Sequence, residues 1–457
     1  MRTLLLAVAA LAFAASADAA PLDPALSREV DAIANETLRT SGVPSASIAI
    51  VRDGEIAYAQ AYGQARRGVR ATTETRYAIG SISKQFTAAA ILMLAEDGKL
   101  TLDDRIDPYV PTLTRGRDIT IRQILSHTSG YRDYWPQDFV PGLMQRETNA
   151  QATLTRWARI PLDYEPGAEY RYSNTGFTVA GLIVEKIAGQ PLHQVQQTRI
   201  FNRLAMTGAT EIDSGPLTGA LDSQGHARWA LGPVRPAVKE GRGWLYAIGE
   251  LAMRPTDLAL WNIALMKGTL LKPESLRAMT TSVMLTSGQP ANYGAGLDVR
   301  TINGKRVWSH GGAVSGYLAN NVIYADENLA LTVLTNGEFG GVQDALTARL
   351  AFLLRAQPPK VIAARDMLAQ FQVGRIDRTR FTPNGSAYYD DAAVRELSRV
   401  LRPLGPARLI TQQADRLRGG LTVEVFNVTF ADRRATIVVR ADPATGRYEQ
   451  FVVDFGT

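Results

Sequence analysis

The sequence predicts an α/β protein: an antiparallel sheet flanked by helices and interrupted by a helical insertion, followed by a small α+β module. Three observations carry this expectation. Strand-like runs bounded by turn residues lie at both ends of residues 20–357, and the stretch between them reads as helices and loops rich in proline. Pro358-Pro359 then reads as a linker, and a second series of strand-like runs follows it. Strands at both ends with helices between them imply one sheet assembled from distant segments.

Taken in order, residues 1–19 read as a removable export signal. Arg2 supplies a positive start, Leu4 to Ala15 form an apolar core too short to span a bilayer, and Ala17-Asp18-Ala19 is a small-x-small cleavage site. A periplasmic or secreted location is therefore expected. Residues 24–41 place Ala25, Val30, Ile33 and Leu38 at helical spacing and stop at Gly42. Two strand runs, 45–51 and 56–62, turn through Asp53-Gly54, a dipeptide suited to a tight hairpin. Residues 81–95 predict a helix that is apolar nearly all round, which implies burial. Helices and loops occupy about 118 to 286. Strands return at 293–302 and 306–309 around Asn303-Gly304, then at 318–324 and 329–334, and a helix at 341–355 closes the region. The module at 361–457 holds a helix at 391–401 and strands at 408–412, 421–430, 435–440 and 448–454.

Composition narrows the function. The 457 residues contain no cysteine, so the expected export brings no disulfides. The net charge of +6 comes mostly from arginines interleaved with acids, as in Arg375-Ile376-Asp377-Arg378, so no nucleic-acid-binding stripe is present. No stretch after the first is apolar enough for stable membrane insertion. No lysine precedes Ser or Thr, which excludes a P-loop, and neither G-x-S-x-G nor G-x-G-x-x-G occurs. The four histidines, 127, 193, 226 and 310, have no H-E-x-x-H spacing, so neither a metal nor a cofactor is expected.

What remains is Gly80-Ser81-Ile82-Ser83-Lys84. At the start of a helix, positions i and i+3 share a face about 5–6 Å apart, within reach of an amine for a hydroxyl. Serine is a poor nucleophile until a neighbour takes its proton. Lysine does so only when burial pulls its pKa down from about 10.4, and an apolar helix supplies burial. Ser81 at a helix start also sets backbone N–H groups beside a developing oxyanion. A second element is Tyr172-Ser173-Asn174: a tyrosine beside a protonated lysine is expected to have its pKa lowered from about 10, which suits a proton shuttle. A third is His310-Gly311-Gly312, where two glycines after a strand allow close approach of a substrate and the Ala313 N–H can join that of Ser81 in an oxyanion hole.

These three elements, in this order and at these separations, resemble the class C β-lactamase and D-alanyl-D-alanine peptidase family, which includes D-aminopeptidases and some esterases. Leu125-Ser126-His127-Thr128-Ser129-Gly130, Pro166-Gly167, Tyr293-Gly294-Ala295-Gly296 and Leu334-Thr335-Asn336 add to the likeness, which covers about 24–355. The resemblance implies a β-lactamase/transpeptidase-like fold and acyl-enzyme chemistry. Ser81 would attack, Lys84 and Tyr172 would share base and acid duties, and Asn174, His310, Gly312 and Ala313 would bind substrate. His127 is expected to hold its loop through a local hydrogen bond. True β-lactamases of the family usually carry lysine where this chain has His310. A histidine with a pKa near 6.5 is mostly neutral at pH 7, so a peptidase, amidase or esterase is expected before an efficient β-lactamase. The alternative is a penicillin-binding sensor that acylates without turnover. The expected partner is a small-molecule or peptide substrate, with oligomeric state left open. The tail resembles the cone-shaped α+β domains of nuclear transport factors and ketosteroid isomerases in its helix-then-strands order, and an accessory or dimerising role is expected for it.

Overall fold

The computed structural model describes residues 21–135, 141–215 and 217–456, so the expected export signal lies outside the described residues. The chain divides into two compact units, one ending at Gln343 and the other beginning at Asp344. That division falls within the helix Val342–Leu354, not at Pro358-Pro359. Pro359 instead opens a helix, Pro359–Val373, because a fixed φ and a missing N–H suit the first helical position.

The first unit is built on a seven-stranded antiparallel sheet. Three strands come from the beginning of the chain: β1 (Ser45–Arg52), β2 (Glu55–Arg66) and β3 (Val69–Arg70). Four come from its other end: β4 (Asp298–Ile302), β5 (Lys305–Val314), β6 (Tyr317–Tyr324) and β7 (Leu329–Thr335). The order is β3-β2-β1-β7-β6-β5-β4, and the seam between the two groups pairs Ala46 with Thr335 through to Arg52 with Leu329. Every residue of β7 and all of β1 up to Val51 are buried, so both faces of these central strands are covered. Helix α1 (Pro24–Ser41) packs on β1 and β2. The two predicted hairpin turns form as expected: Asp53 and Gly54 have φ of 54° and 82°, and Asn303 and Gly304 have 53° and 75°. Positive φ at both central residues matches the right-handed twist of the strands they join.

Two of the strand boundaries that differ from the sequence reading bear on the site. Residues 293–297 form no strand; Gly296, at φ 78°, turns the chain so that its backbone packs on Lys84 and Gln85. Strand β5 does not stop at Ser309 but runs through His310-Gly311-Gly312-Ala313 to Val314, held by pairing with Asn321 through Tyr317 of β6. On its other side β4 accompanies β5 only as far as the Ser309–Asp298 pair.

Between these strand groups lie the helices. Helix α2 (Lys84–Glu96) is buried from Lys84 to Leu94 and packs against α3 (Asn174–Ala188). Phe86 fixes it in the core between the rings of Phe201 and Trp261, with centroids 5.4 and 4.7 Å away. The second unit is a four-stranded antiparallel sheet, Leu409–Arg418, Leu421–Thr429, Arg434–Ala441 and Tyr448–Asp454 in that order, with Pro359–Val373 and Asp391–Leu401 as its main helices. Its core is aromatic: Phe371, Phe381, Tyr389, Phe426, Tyr448 and Phe451.

Candidate active site

Ser81 sits in a single 3-10 turn, Gly80–Ser83, which runs directly into α2. One helical turn on, Lys84 is fully buried, and its Nζ donates to Ser81 Oγ at 2.9 Å and to the Ile248 carbonyl at 2.8 Å. Burial brings the lysine pKa down from 10.5 to about 7, against the opposing pull of the Asp133 and Glu250 carboxylates. An amine whose pKa is brought down this far is available as a free base near neutral pH and can accept the serine proton.

The free edge of β5 lies along this turn. A side chain on Gly80, which has φ 50°, would meet the Ala313 nitrogen at 2.6 Å, so the Ala313 backbone stands directly beside the Ser81 turn. A side chain on Gly312 would strike the Ile79 carbonyl oxygen. Gly312 therefore lets the strand reach the turn, whereas it is exposed Gly311 and Ala313, on the opposite face of the pleat, that front the open side. The arrangement brings Ala313 and Ser81 to one place, as an oxyanion hole requires.

Tyr172 arrives from the segment before α3. Lys84 Nζ lies 5.1 Å from its ring centroid, and the His127 ring lies against it at 4.2 Å. The expected lowering of its pKa is not found. Burial pushes the phenol well above its usual range, and the Ser81 hydroxyl only partly opposes this. The Tyr172 hydroxyl is buried and no atom reaches it in good hydrogen-bonding geometry.

His127 explains how Tyr172 is placed. The Ser173 N–H donates to its Nδ1 at 3.0 Å, tying the loop at 127 to the loop at 173. Asn174, the first residue of α3, spends its Nδ2 on Asp133 Oδ1 at 3.0 Å and keeps a buried, unpartnered Oδ1. His310 is buried in β5, its Nδ1 donating to the Gly311 carbonyl at 2.6 Å while Tyr293 Oη donates to its Nε2 at 2.8 Å. Burial, with Lys84 nearby, lowers its pKa to about 4, so the neutral form prevails at pH 7.

With this geometry in place the comparison with known proteins is direct. The model of the Beta-lactamase family matches residues 30–356. The chain belongs to the Beta-lactamase family. A D-aminopeptidase of Cereibacter sphaeroides is 31% identical over 347 residues, which are 74% of this chain and 64% of that protein, so the chain spans just under two thirds of its length. The D-stereospecific amidohydrolase of a Streptomyces species is 29% identical, with a TM-score of 0.62 over 71% of this chain and 97% of its own. The octameric penicillin-binding protein homologue of Pyrococcus abyssi shares the fold over 94% of this chain and 96% of its own, at a TM-score of 0.65 and 21% identity.

The family motifs do not mark every charged group at the site. Asp133 accepts from the Asn174 N–H and Nδ2, both at 3.0 Å, and burial raises its pKa although Lys84 lies close by. Glu250 is fully buried, accepts from Gln196 Nε2 at 3.0 Å, and burial raises its pKa to about 7. Nothing in the sequence near Asp133 singles it out. Glu250 did leave a signal: it is the lone acid in the apolar run 247–253. Among the described residues no three His, Asp or Glu side chains gather as metal ligands, and no helix is long and apolar enough to cross a membrane.

Proposed function

We propose that this member of the Beta-lactamase family is a serine hydrolase that cleaves amide bonds of D-amino-acid derivatives through an acyl-enzyme on Ser81. The observation that carries the reading is the 2.9 Å contact between Ser81 Oγ and a buried amine of near-neutral pKa. The names of two relatives above 25% identity, D-aminopeptidase and D-stereospecific amidohydrolase, support the choice of bond.

In this reading neutral Lys84 takes the Ser81 proton as Oγ bonds to the substrate carbonyl carbon. The carbonyl oxygen becomes an oxyanion held by the Ser81 and Ala313 N–H groups. Collapse of the tetrahedral species breaks the C–N bond, and the departing nitrogen takes the proton from the Lys84 ammonium by way of the Tyr172 hydroxyl. A phenol with a raised pKa suits this relay, because it hands one proton on as it receives another and never holds a lasting negative charge. Water then attacks the ester carbonyl, giving its proton to Lys84, and Ser81 Oγ leaves with that proton. Neutral His310 offers no permanent cation to a β-lactam carboxylate, which favours ordinary amides over β-lactams.

Hydrolysis of D-alanine p-nitroanilide and of nitrocefin, with intact mass measured after each, tests the proposal. We expect turnover of the amide that vanishes in Ser81→Ala, with nitrocefin far slower. A lasting adduct on Ser81 without product release would favour the sensor instead, and turnover surviving in Ser81→Ala would overturn both. The export signal read in residues 1–19 supports a periplasmic or secreted location for the mature chain, a proposal that amino-terminal sequencing of the exported protein checks.

A further inference from the structure

A second concavity lies past the end of β5. It has a volume of about 360 Å³ and is lined by Arg66, Thr218, Asp222, Lys239, Ser315 and Tyr317 among others. Ser315 stands in the turn just past the end of β5, two residues beyond Ala313, so the cleft's wall begins next to the oxyanion-hole strand position.

The charges in this cleft are unevenly matched. Asp222 is neutralised by Arg76 at 2.6 Å. Arg66 spends its guanidinium on the carbonyls of Gly219 and Ala220, at 2.9 and 3.2 Å, and meets no carboxylate there. Lys239 is half-buried; among the described residues it makes no direct ion pair or hydrogen bond, and the Glu240 and Asp222 carboxylates act on it only through space. The neighbouring Glu240 directs Oε1 to the Ser315 N–H and hydroxyl, at 2.9 and 2.7 Å. Burial lowers the Lys239 pKa although the Glu240 and Asp222 carboxylates pull it up, so they do not cancel the desolvation, and a bound anion would relieve it further.

The direction of the reaction assigns this cleft to one end of the substrate. Tyr172, which passes a proton to the leaving nitrogen, has its ring 6.2 Å from that of His310, three residues before Ala313 on β5. The leaving group therefore departs toward His310, and the acyl portion extends the other way, past Ser315. We infer that the cleft is a subsite for a carboxylate carried on the acyl portion of the substrate, with Lys239 as its ion-pair partner and Arg66 beside it; this rests on the Ser81 hydrolase reading. The favoured substrates are then D-residue amides whose acyl side continues into an anionic group a few bonds from the scissile carbonyl.

The test uses N-succinyl-D-alanine p-nitroanilide and its neutral succinamoyl counterpart, which differ by one charge and hardly in shape. We expect the full chain to prefer the charged compound about tenfold in kcat/KM, a single partly desolvated ion pair being the source. The ratio should fall to about one in Lys239→Ala and recover in Lys239→Arg. A ratio near one in the unmodified protein, or a preference that survives Lys239→Ala, overturns the subsite while Ser81-dependent turnover leaves the hydrolase reading standing. Should neither compound be hydrolysed, calorimetric binding of N-succinyl-D-alanine to Ser81→Ala decides: at least tenfold weaker binding in Ser81→Ala/Lys239→Ala supports the cleft, and equal binding overturns it.

Discussion

The two units treat their buried polar groups in opposite ways. In the second, the buried phenol of Tyr389 is fully used, donating to the Phe451 carbonyl at 2.8 Å and accepting from the Phe451 N–H at 3.0 Å. Around it Phe371 lies 5.1, 5.5 and 6.3 Å from the rings of Tyr389, Phe451 and Phe381, and burial raises the Tyr389 pKa, which keeps the phenol neutral. The first unit buries an amine, two imidazoles and a carboxylic acid in one neighbourhood, and leaves Tyr172 Oη, His127 Nε2, Asn174 Oδ1 and Glu250 Oε2 without partners. Each unpartnered buried polar atom costs about 1–3 kcal/mol. A core that serves only stability has no reason to carry such a cluster, and a site awaiting a substrate does.

The contrast predicts opposite consequences for substitution in the two places. Lys84→Met should lower kcat at least about a thousandfold, the scale of losing a catalytic base, and should nevertheless raise thermal stability at pH 7. The sign follows from the depressed folded-state pKa: the cost of the buried ammonium is fully present below about 7 and fades as pH rises to the usual lysine range. Methionine has a similar volume and no charge to desolvate, so that cost is absent in the variant. A lower melting temperature for Lys84→Met would erase the contrast.

Phe371→Ala should act the other way, costing about 3–5 kcal/mol by opening a cavity where the aromatic rings meet. Urea unfolding of the full chain would read this as a transition at lower denaturant. A loss below about 1 kcal/mol would mean that the cluster collapses freely around the gap and is not a close-packed core.

The smallest effect concerns charge alone. The acid limb of kcat/KM should have its midpoint near 7, where Lys84 loses its proton. Because the Asp133 carboxylate holds that pKa up, Asp133→Asn should move the limb to lower pH. An unmoved limb accompanied by a lower rate would restrict Asp133 to holding Asn174.

How much was legible in the sequence depended on distance along the chain. The contact of Ser81 with Lys84 spans one helical turn, and the hairpins at Asp53-Gly54 and Asn303-Gly304 are two-residue decisions, so residue type and spacing were enough. The helix from Pro359 to Val373 was missed because its opening Pro-Pro was read as a linker, although proline is also favoured at the start of a helix. Gly312 was read as room for substrate, because its sequence shows only that space is needed and not that the Ile79 carbonyl fills it.

Local order thus settled which residue types stand together within a turn or a strand: a serine and a lysine on one helix face, a phenol before another helix, a glycine pair on a strand. Protonation was settled elsewhere. Whether Tyr172 titrates above or below its ordinary range, whether His310 is charged, and whether Asp133 and Glu250 face the same amine depend on which distant segments close around them and exclude water. Spacing is a short-range property of the chain, while desolvation and the electric field inside a protein sum over everything packed nearby, and only the folded molecule fixes that sum.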